Sequence, residues 1–301
     1  MINEINFILN KELIKINNID PNTTVLNYLR EISNLRGTKE GCASGDCGAC
    51  TAVIAELKNN KLIYKSINTC IMFVYNLHGK QLITVEHLKN NNKLHPVQES
   101  MVKFNGSQCG FCTPGFIMSM FAMFKNKVKI NKKNIDEYLA GNLCRCTGYK
   151  PIYLATKKMY SFGKNDHFSK IEKNIINKLK SIKNKNIIIK HKDKEFYIPF
   201  NLEELKNNIN DSKNSKLLSG GTDLALEVTK KRKDLESIIF LGNNIDLKYI
   251  NVSDNKIFIG SATPINDTLE ILGKYYPSIK DMYLRYGSLQ IRNVASIGGN
   301  I

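Results

Sequence analysis

Residues 41–50 read GCASGDCGAC, and the next cysteine along the chain is Cys70. The spacing C-x4-C-x2-C with a later fourth cysteine is the plant-type ferredoxin pattern, in which four thiolates hold a [2Fe–2S] cluster. Soft thiolates suit iron, and the three glycines let the loop wrap closely, because glycine lacks a Cβ and accepts positive φ. The sequence therefore predicts one cluster site on Cys42, Cys47, Cys50 and Cys70.

The other four cysteines form a second group, Cys109-Gly110-Phe111-Cys112 and Cys144-Arg145-Cys146. Spacing alone leaves zinc as a rival, which would make this a zinc-stabilised binding module without a redox role. Cys112 precedes a predicted helix that starts at Thr113-Pro114, with Thr113 as its N-cap. A helix N-terminus favours anionic thiolates. We predict a second [2Fe–2S] cluster on Cys109, Cys112, Cys144 and Cys146, which uses all eight cysteines.

Composition indicates an intracellular protein of about two domains, by the prior of roughly 150 residues for each domain. The 301 residues carry a net charge of +17, mostly from scattered lysine, and this pattern does not favour nucleic-acid binding. No signal peptide or apolar run of ~20 residues is visible, so we expect a cytoplasmic protein that is not in a membrane. Cysteines in a reducing compartment favour metal chemistry over disulfides.

Four segments of the chain differ in pattern. Residues 1–80 read as short strands, including a hairpin of residues 5–9 with 11–17. Residues 86–162 read as helices, with an apolar and therefore buried one at 114–124. Residues 163–194 are rich in lysine and read as a linker or an exposed helix. Residues 195–301 return to strand and turn patterns.

Several motifs resemble the molybdenum hydroxylase family, and within it the iron–sulfur and FAD subunit of the xanthine dehydrogenase type. They are the residues around Cys42–Cys50, LHPVQ at 94–98, GSQCGFCTPG at 106–115 and LCRCTGY at 143–149. The resemblance implies an α+β multidomain chain with a β-grasp ferredoxin domain at 1–80 and an all-helical [2Fe–2S] domain at 86–162. An FAD-binding domain of the PCMH type would follow at 195–301.

The same resemblance implies further cofactor contacts. Gln108 matches a position that contacts molybdopterin. Two loops and one aromatic residue match FAD contacts, namely Leu217, Leu218, Ser219, Gly220, Gly221, Thr222, Asp223, Leu224, Tyr286, Ser296, Ile297, Gly298, Gly299 and Asn300. Small residues in such loops let backbone N–H groups converge on phosphate oxygens. No catalytic residue for substrate hydroxylation is expected on this chain.

The resemblance also implies a role in electron transfer. Hydroxylation of a purine or similar heterocycle would occur at molybdopterin on a large partner subunit. Electrons would pass through the two clusters to FAD and then to NAD+ or another acceptor. An iron–sulfur subunit of an aldehyde or carbon monoxide dehydrogenase is the alternative within the family. The sequence ends at Ile301, inside the second FAD loop, so we expect a truncated FAD domain.

Overall fold

A five-stranded sheet forms the centre of the computed structural model, which describes residues 3–212 and 214–301. Its strand order is β2-β1-β5-β3-β4, with β1 and β5 parallel and the other pairs antiparallel. The strands are β1 Ile5–Leu9, β2 Glu12–Ile16, β3 Thr51–Lys58, β4 Lys61–Asn68 and β5 Gln81–Ile83. The predicted hairpin is present as β1 and β2. A short helix α1, Val25–Asn27, begins at the N-cap Thr24, continues as a π-helical turn to Ile32 and precedes the cysteine loop.

Both faces of this sheet are buried. Successive side chains of a strand point to opposite faces, so β3 places Ala52 and Ile54 in one core and Val53 and Ala55 in another. The helices of residues 96–158, the second region, cover one face. Residues 187–301, the third region, cover the other. The sheet is therefore the layer against which the rest of the chain packs.

Helices α2 to α5 make up the second region: α2 Pro96–Lys103, α3 Thr113–Lys125, α4 Lys132–Leu139 and α5 Lys150–Lys158. Residues 115–124 of α3 are all buried, as its apolar sequence predicted. The predicted N-cap at Thr113 is wrong. Cys112 occupies the cap position, and Thr113 is the first helical residue, where its hydroxyl forms a hydrogen bond with Ser107.

Residues 163–194 were predicted to be a linker or an exposed helix; a helix is present, and the linker alternative is wrong. The segment contains α6, Phe168–Ser181, whose Phe168, Ile175 and Leu179 are buried in the helical core. It also contains β6, Ile187–His191, which pairs with β7, Lys194–Ile198. The lysines of α6 lie away from its buried residues, so the helix is amphipathic.

The third region contains a four-stranded sheet in the order β6-β7-β9-β8 and a separate hairpin of β10 and β11. Its core joins that of the first sheet, since Tyr75 stacks on Phe196 with ring centroids 4.9 Å apart. Its remaining elements are α7 Leu202–Asp211, β8 Lys216–Leu218, α8 Ala225–Thr229, β9 Ser237–Phe240, β10 Ile250–Ser253, β11 Lys256–Ile259, α9 Ile265–Tyr275, α10 Pro277–Arg285 and α11 Leu289–Arg292.

Within the ranges that the structure covers, no helix has both the length and the apolar character needed to cross a bilayer.

Because α6 packs into the helical core, we expect Phe168→Ala to lower the free energy of unfolding by about 3–5 kcal/mol, the usual cost of emptying a buried phenylalanine site. Lys173→Ala, on the exposed face of the same helix, is the control and should change it by less than about 0.5 kcal/mol. Urea unfolding of the whole chain measures both. Equal effects of the two substitutions would mean that this segment does not pack.

Candidate functional site

The loop after α1 surrounds the sulfur of Cys42 with backbone donors. The N–H groups of Ser44, Asp46 and Cys47 donate to Cys42 Sγ over 3.4, 3.3 and 3.3 Å. The positive φ of 81° at Gly45 makes this close turn possible. Such donors stabilise a thiolate and tune the reduction potential of any metal that the thiolate binds.

Cys50 and Cys70 complete the first group of cysteines. Their sulfurs lie 3.3 Å apart, and both residues are buried. Cys50 directly precedes strand β3, while Cys70 follows β4, the partner of β3. The antiparallel pairing of these two strands therefore brings the distant fourth cysteine back to the loop. The side chain of Asn68 also donates to Cys50 Sγ, over 3.8 Å.

The four thiols of this group share protons. A hydrogen bond from Cys70 and those from the loop lower the pKa of Cys42 to about 3, against the opposing effect of burial. The pKa of Cys70 is raised far above its ordinary value, because its proton is held between the sulfurs of Cys42 and Cys50. Iron cations in place of these shared protons would leave every sulfur as a thiolate ligand. The donor set therefore fits a [2Fe–2S] cluster.

The second group of cysteines lines one cavity of about 410 Å³ at the surface. Cys109 and Cys146 are exposed, whereas Cys112 and Cys144 are partly buried beneath them. The complete lining is Cys109, Phe111, Cys112, Leu143, Cys144, Arg145, Cys146 and Tyr149. The structure thus brings the two cysteine motifs together, although they are far apart in the sequence.

These cysteines interact as two pairs. Burial and contact with Cys144 raise the pKa of Cys112 to about 12. A hydrogen bond to Cys109 raises the pKa of Cys146. Burial opposes the ionisation of Cys144, but hydrogen bonds from Thr147 lower its pKa overall. Two pairs of sulfurs fit two irons with two thiolates each.

Neither group of cysteines has the closed geometry of a single-metal site. Among residues 3–212 and 214–301, no group of three or more histidine, cysteine or carboxylate side chains is spaced for a single metal ion. A zinc site would draw four sulfurs to about 2.3 Å from one centre. A two-iron cluster would instead spread its four ligands over a longer core, and iron and sulfide analysis distinguishes the two.

The two cysteine loops touch each other through their backbones. The N–H of Leu143 donates to the carbonyl of Cys47 over 2.9 Å. A Cβ at Gly48, where φ is +69°, would lie 2.1 Å from the carbonyl oxygen of Gly141. Only glycine fits at position 48, so the two sites are as close as the backbones allow. Leu143 is adjacent to Cys144, and Cys47 belongs to the first group, so one hydrogen bond links the two groups.

Most of the predicted FAD residues lie around one cavity of about 180 Å³ in the third region. Its lining is Leu217, Leu218, Ser219, Gly220, Gly221, Thr222, Asp223, Leu224, Tyr286, Ser296, Gly299 and Asn300. Ile297 and Gly298 do not line this cavity. Their N–H groups donate instead to the carbonyls of Thr263 and Ser261. These two residues fix the second loop rather than facing the cavity.

Tyr286 is held at the rim of this cavity. Its hydroxyl donates to Asn300 Oδ1 over 2.6 Å, which joins it to the second loop. The buried guanidinium of Arg292 donates to the carbonyls of Tyr286 and Gly287, each over 2.9 Å, and pairs with Glu137 of α4. Arg292 therefore fixes the backbone that presents Tyr286. No local pattern around Arg292 indicated this role.

Other residues of the site also escaped the sequence analysis. Thr147 donates to Cys144 Sγ through its N–H over 3.4 Å, and the Tyr149 hydroxyl accepts from the N–H of Cys144 over 3.0 Å. Both lie in the LCRCTGY motif, so the motif itself was the available signal. Gln108 is exposed and precedes Cys109 in the sequence, but it does not line the cavity of the second group.

Comparison with known families matches three successive parts of the chain. Residues 7–75 match a 2Fe-2S iron-sulfur cluster binding domain, and residues 84–157 match a [2Fe-2S] binding domain. Residues 191–301 match the FAD binding domain in molybdopterin dehydrogenase. The third match begins within β6, in agreement with the strand found there.

Similar proteins include two xanthine dehydrogenases. The protein from Drosophila pseudoobscura pseudoobscura is 31% identical over 99% of this chain and 26% of its own length. Xanthine dehydrogenase/oxidase from Rattus norvegicus is 46% identical over 50% of this chain and 11% of its own. Among solved structures, aldehyde oxidoreductase from Desulfovibrio gigas is 29% identical with a TM-score of 0.48, over 56% of this chain and 18% of that one. The chain spans about a quarter of the length of the curated relatives that match all of it.

Because Gly48 lies against the backbone of Gly141, we expect Gly48→Ala to cost about 1–2 kcal/mol for its left-handed conformation and a further 1–3 kcal/mol for the clash. Gly148→Ala is the control, since φ there is +65° and no heavy atom lies within 4 Å of an added Cβ. It should incur only the first cost. Urea unfolding compares the two variants, and equal losses would contradict the contact between the loops.

Proposed function

The chain belongs to the molybdenum hydroxylase family, as its iron–sulfur and flavin part, and on that premise we propose that it is the electron-transfer portion of a xanthine dehydrogenase-type enzyme. One observation carries the proposal: the eight cysteines fold into two separate groups of four. Two family matches to [2Fe–2S] domains coincide with these groups. As part of the same proposal, residues 1–80 form a β-grasp domain, residues 86–162 a helical bundle and residues 195–301 a domain of the PCMH type.

The proposed cluster ligands are the two groups described above. Cys42, Cys47, Cys50 and Cys70 would hold the first [2Fe–2S] cluster, and Cys109, Cys112, Cys144 and Cys146 the second. When bound, such clusters supply one-electron transfer, with potentials set by nearby hydrogen bonds and solvent exposure. The N–H groups that donate to Cys42 and Cys144 supply those hydrogen bonds. The different burial of the two groups gives them different environments.

The second group faces a partner in this proposal. Its rim exposes Phe111, Leu143 and Tyr149, with 48, 55 and 44% of their surfaces accessible. Exposed apolar surface of this kind marks interaction sites. We propose that the molybdopterin-binding large subunit covers this rim and that Gln108 contacts molybdopterin there. Hydroxylation of the heterocyclic substrate would belong to that subunit.

The third region is proposed to bind FAD between its two loops. The cavity of about 180 Å³ is smaller than the roughly 300–1,000 Å³ of pockets that enclose a whole ligand. It fits the pyrophosphate part of FAD, which small residues such as Gly220 and Gly221 can approach through their N–H groups. Tyr286 would contact the flavin from the rim. NAD+ or another acceptor would then take the electrons.

We expect the purified chain to bind two irons and two sulfides for each cluster, and to show two different electron paramagnetic resonance signals after reduction. Cys47→Ser should remove one signal and leave the other, because the two groups share no ligand. Cys112→Ser is the matched variant and should remove the opposite signal. A colourless protein that holds zinc, or loss of both signals in either variant, would contradict the assignment.

If the Thr222 hydroxyl contacts FAD phosphate, Thr222→Val should weaken FAD binding by about tenfold or more, since hydrogen bonds to charged groups contribute about 1.5–3 kcal/mol. Thr229→Val is the control. Thr229 does not line the cavity, and its buried hydroxyl has no hydrogen-bond partner in the described structure. Quenching of flavin fluorescence gives both affinities, and equal affinities for FAD would place the cofactor elsewhere.

For the substrate, the complex with the large subunit should be assayed with xanthine and with aldehydes. Turnover of xanthine supports the proposed type. Turnover of aldehydes alone, with an intact molybdenum centre, would favour the alternative branch of the family.

A further inference from the structure

Gln290 lies where the three regions of the chain meet. It belongs to α11 of the third region, and none of its surface is accessible. Its Nε2 group donates to three oxygens of the other regions: Asn142 Oδ1 at 3.1 Å, Ser119 Oγ at 3.3 Å and Thr51 Oγ1 at 3.4 Å. One amide of the third region, called the flavin region from here on, therefore contacts both cysteine-bearing regions.

The partners of Gln290 hold both cysteine loops. Asn142 Nδ2 donates to the carbonyl of Gly48 over 3.0 Å and to Thr51 Oγ1 over 3.1 Å. The hydroxyl of Thr51 donates to the same Gly48 carbonyl over 2.7 Å. Gly48 follows Cys47 in the first group, and Asn142 precedes Cys144 in the second by two residues. The network thus surrounds the hydrogen bond from Leu143 to Cys47.

The contact between the three regions at Gln290, called the junction here, depends on the side-chain amide of Gln290 rather than on the volume of that side chain. Ser119 Oγ already donates to Asn142 Oδ1 over 2.6 Å, so the Gln290 amide is the second donor to that oxygen. Its own Oε1 is buried without a hydrogen-bond partner among the described residues. A Cβ at Gly141 would lie 2.1 Å from that oxygen. Side-chain packing alone would not require a buried amide with one unsatisfied atom.

We propose that Gln290 is a positioning residue that fixes the separation and orientation of the two clusters. The inference rests on the proposed function, since it requires both cysteine groups to hold clusters. Through Asn142 and Thr51, the amide holds the Cys47–Gly48 backbone against the Asn142–Leu143 backbone. Docking of the flavin region thereby sets how strongly the two clusters interact and how fast an electron passes between them.

The test is Gln290→Met in the full chain, because methionine keeps the length and removes the donor. Both clusters should remain, as shown by iron content and by two electron paramagnetic resonance signals. The magnetic splitting between the two reduced clusters should change. The rate of electron transfer between them after rapid reduction should fall severalfold, because the tunnelling rate falls steeply as the distance between two centres grows.

Gln81→Met is the matched control. Gln81 of β5 is also buried and donates to the carbonyl of Asn10, in the turn between β1 and β2. It should lose stability without any change in splitting or rate. Ser119→Ala removes a neighbouring hydroxyl at little change in volume and should shift the splitting in the same direction as Gln290→Met. It decides the question if the methionine variant does not fold.

The outcomes distinguish failure of the role of Gln290 from failure of the proposed function. Two intact signals with unchanged splitting and rate in Gln290→Met, or in Ser119→Ala if the former does not fold, would overturn this inference alone. Absence of two iron–sulfur signals in the unsubstituted chain would overturn the proposed function and this inference with it. A change in splitting that also appears in Gln81→Met would reduce the effect to general loss of stability and would likewise overturn the inference.

Discussion

The contact between two cysteine loops at backbone distance is the constraint on which the rest of the structure depends. Gly48 allows it, because any side chain there would collide with the carbonyl of Gly141. The hydrogen bond from Leu143 to Cys47 fixes its register. Buried backbone carbonyls need hydrogen-bond donors, so a contact this close is stable only if neighbouring groups donate to them. Asn142 and Thr51 do so from either side.

The packing of the chain supports that contact from both directions. The central sheet positions Cys50 and Cys70 at the ends of the paired strands β3 and β4, and its two buried faces hold the helical and flavin regions in place. Helix α3 starts immediately after Cys112, so its buried body anchors the second group to the same sheet. The three regions therefore pack against one sheet, which connects the two cysteine groups.

Much of this arrangement could be predicted from the sequence because its signals are local. The loop at 41–50, the apolar residues of α3 and the hairpin of β1 and β2 each follow from neighbouring residues. For residues 163–194 a helix was one of two alternatives, but ten lysines in the segment concealed that Phe168, Ile175 and Leu179 form a buried helical face. Gln290 could not be found from the sequence, since its partners Thr51 and Asn142 are 239 and 148 residues away. Ile297 and Gly298 match an FAD loop by sequence, but only the fold reveals that their N–H groups are already used.

The most direct test of the account is a crystal structure of the iron-loaded chain with diffraction data collected at the iron absorption edge. We expect two separate pairs of iron peaks, one pair among Cys42, Cys47, Cys50 and Cys70 and the other among Cys109, Cys112, Cys144 and Cys146. A single metal peak within either group, or iron bound outside both groups, would contradict it.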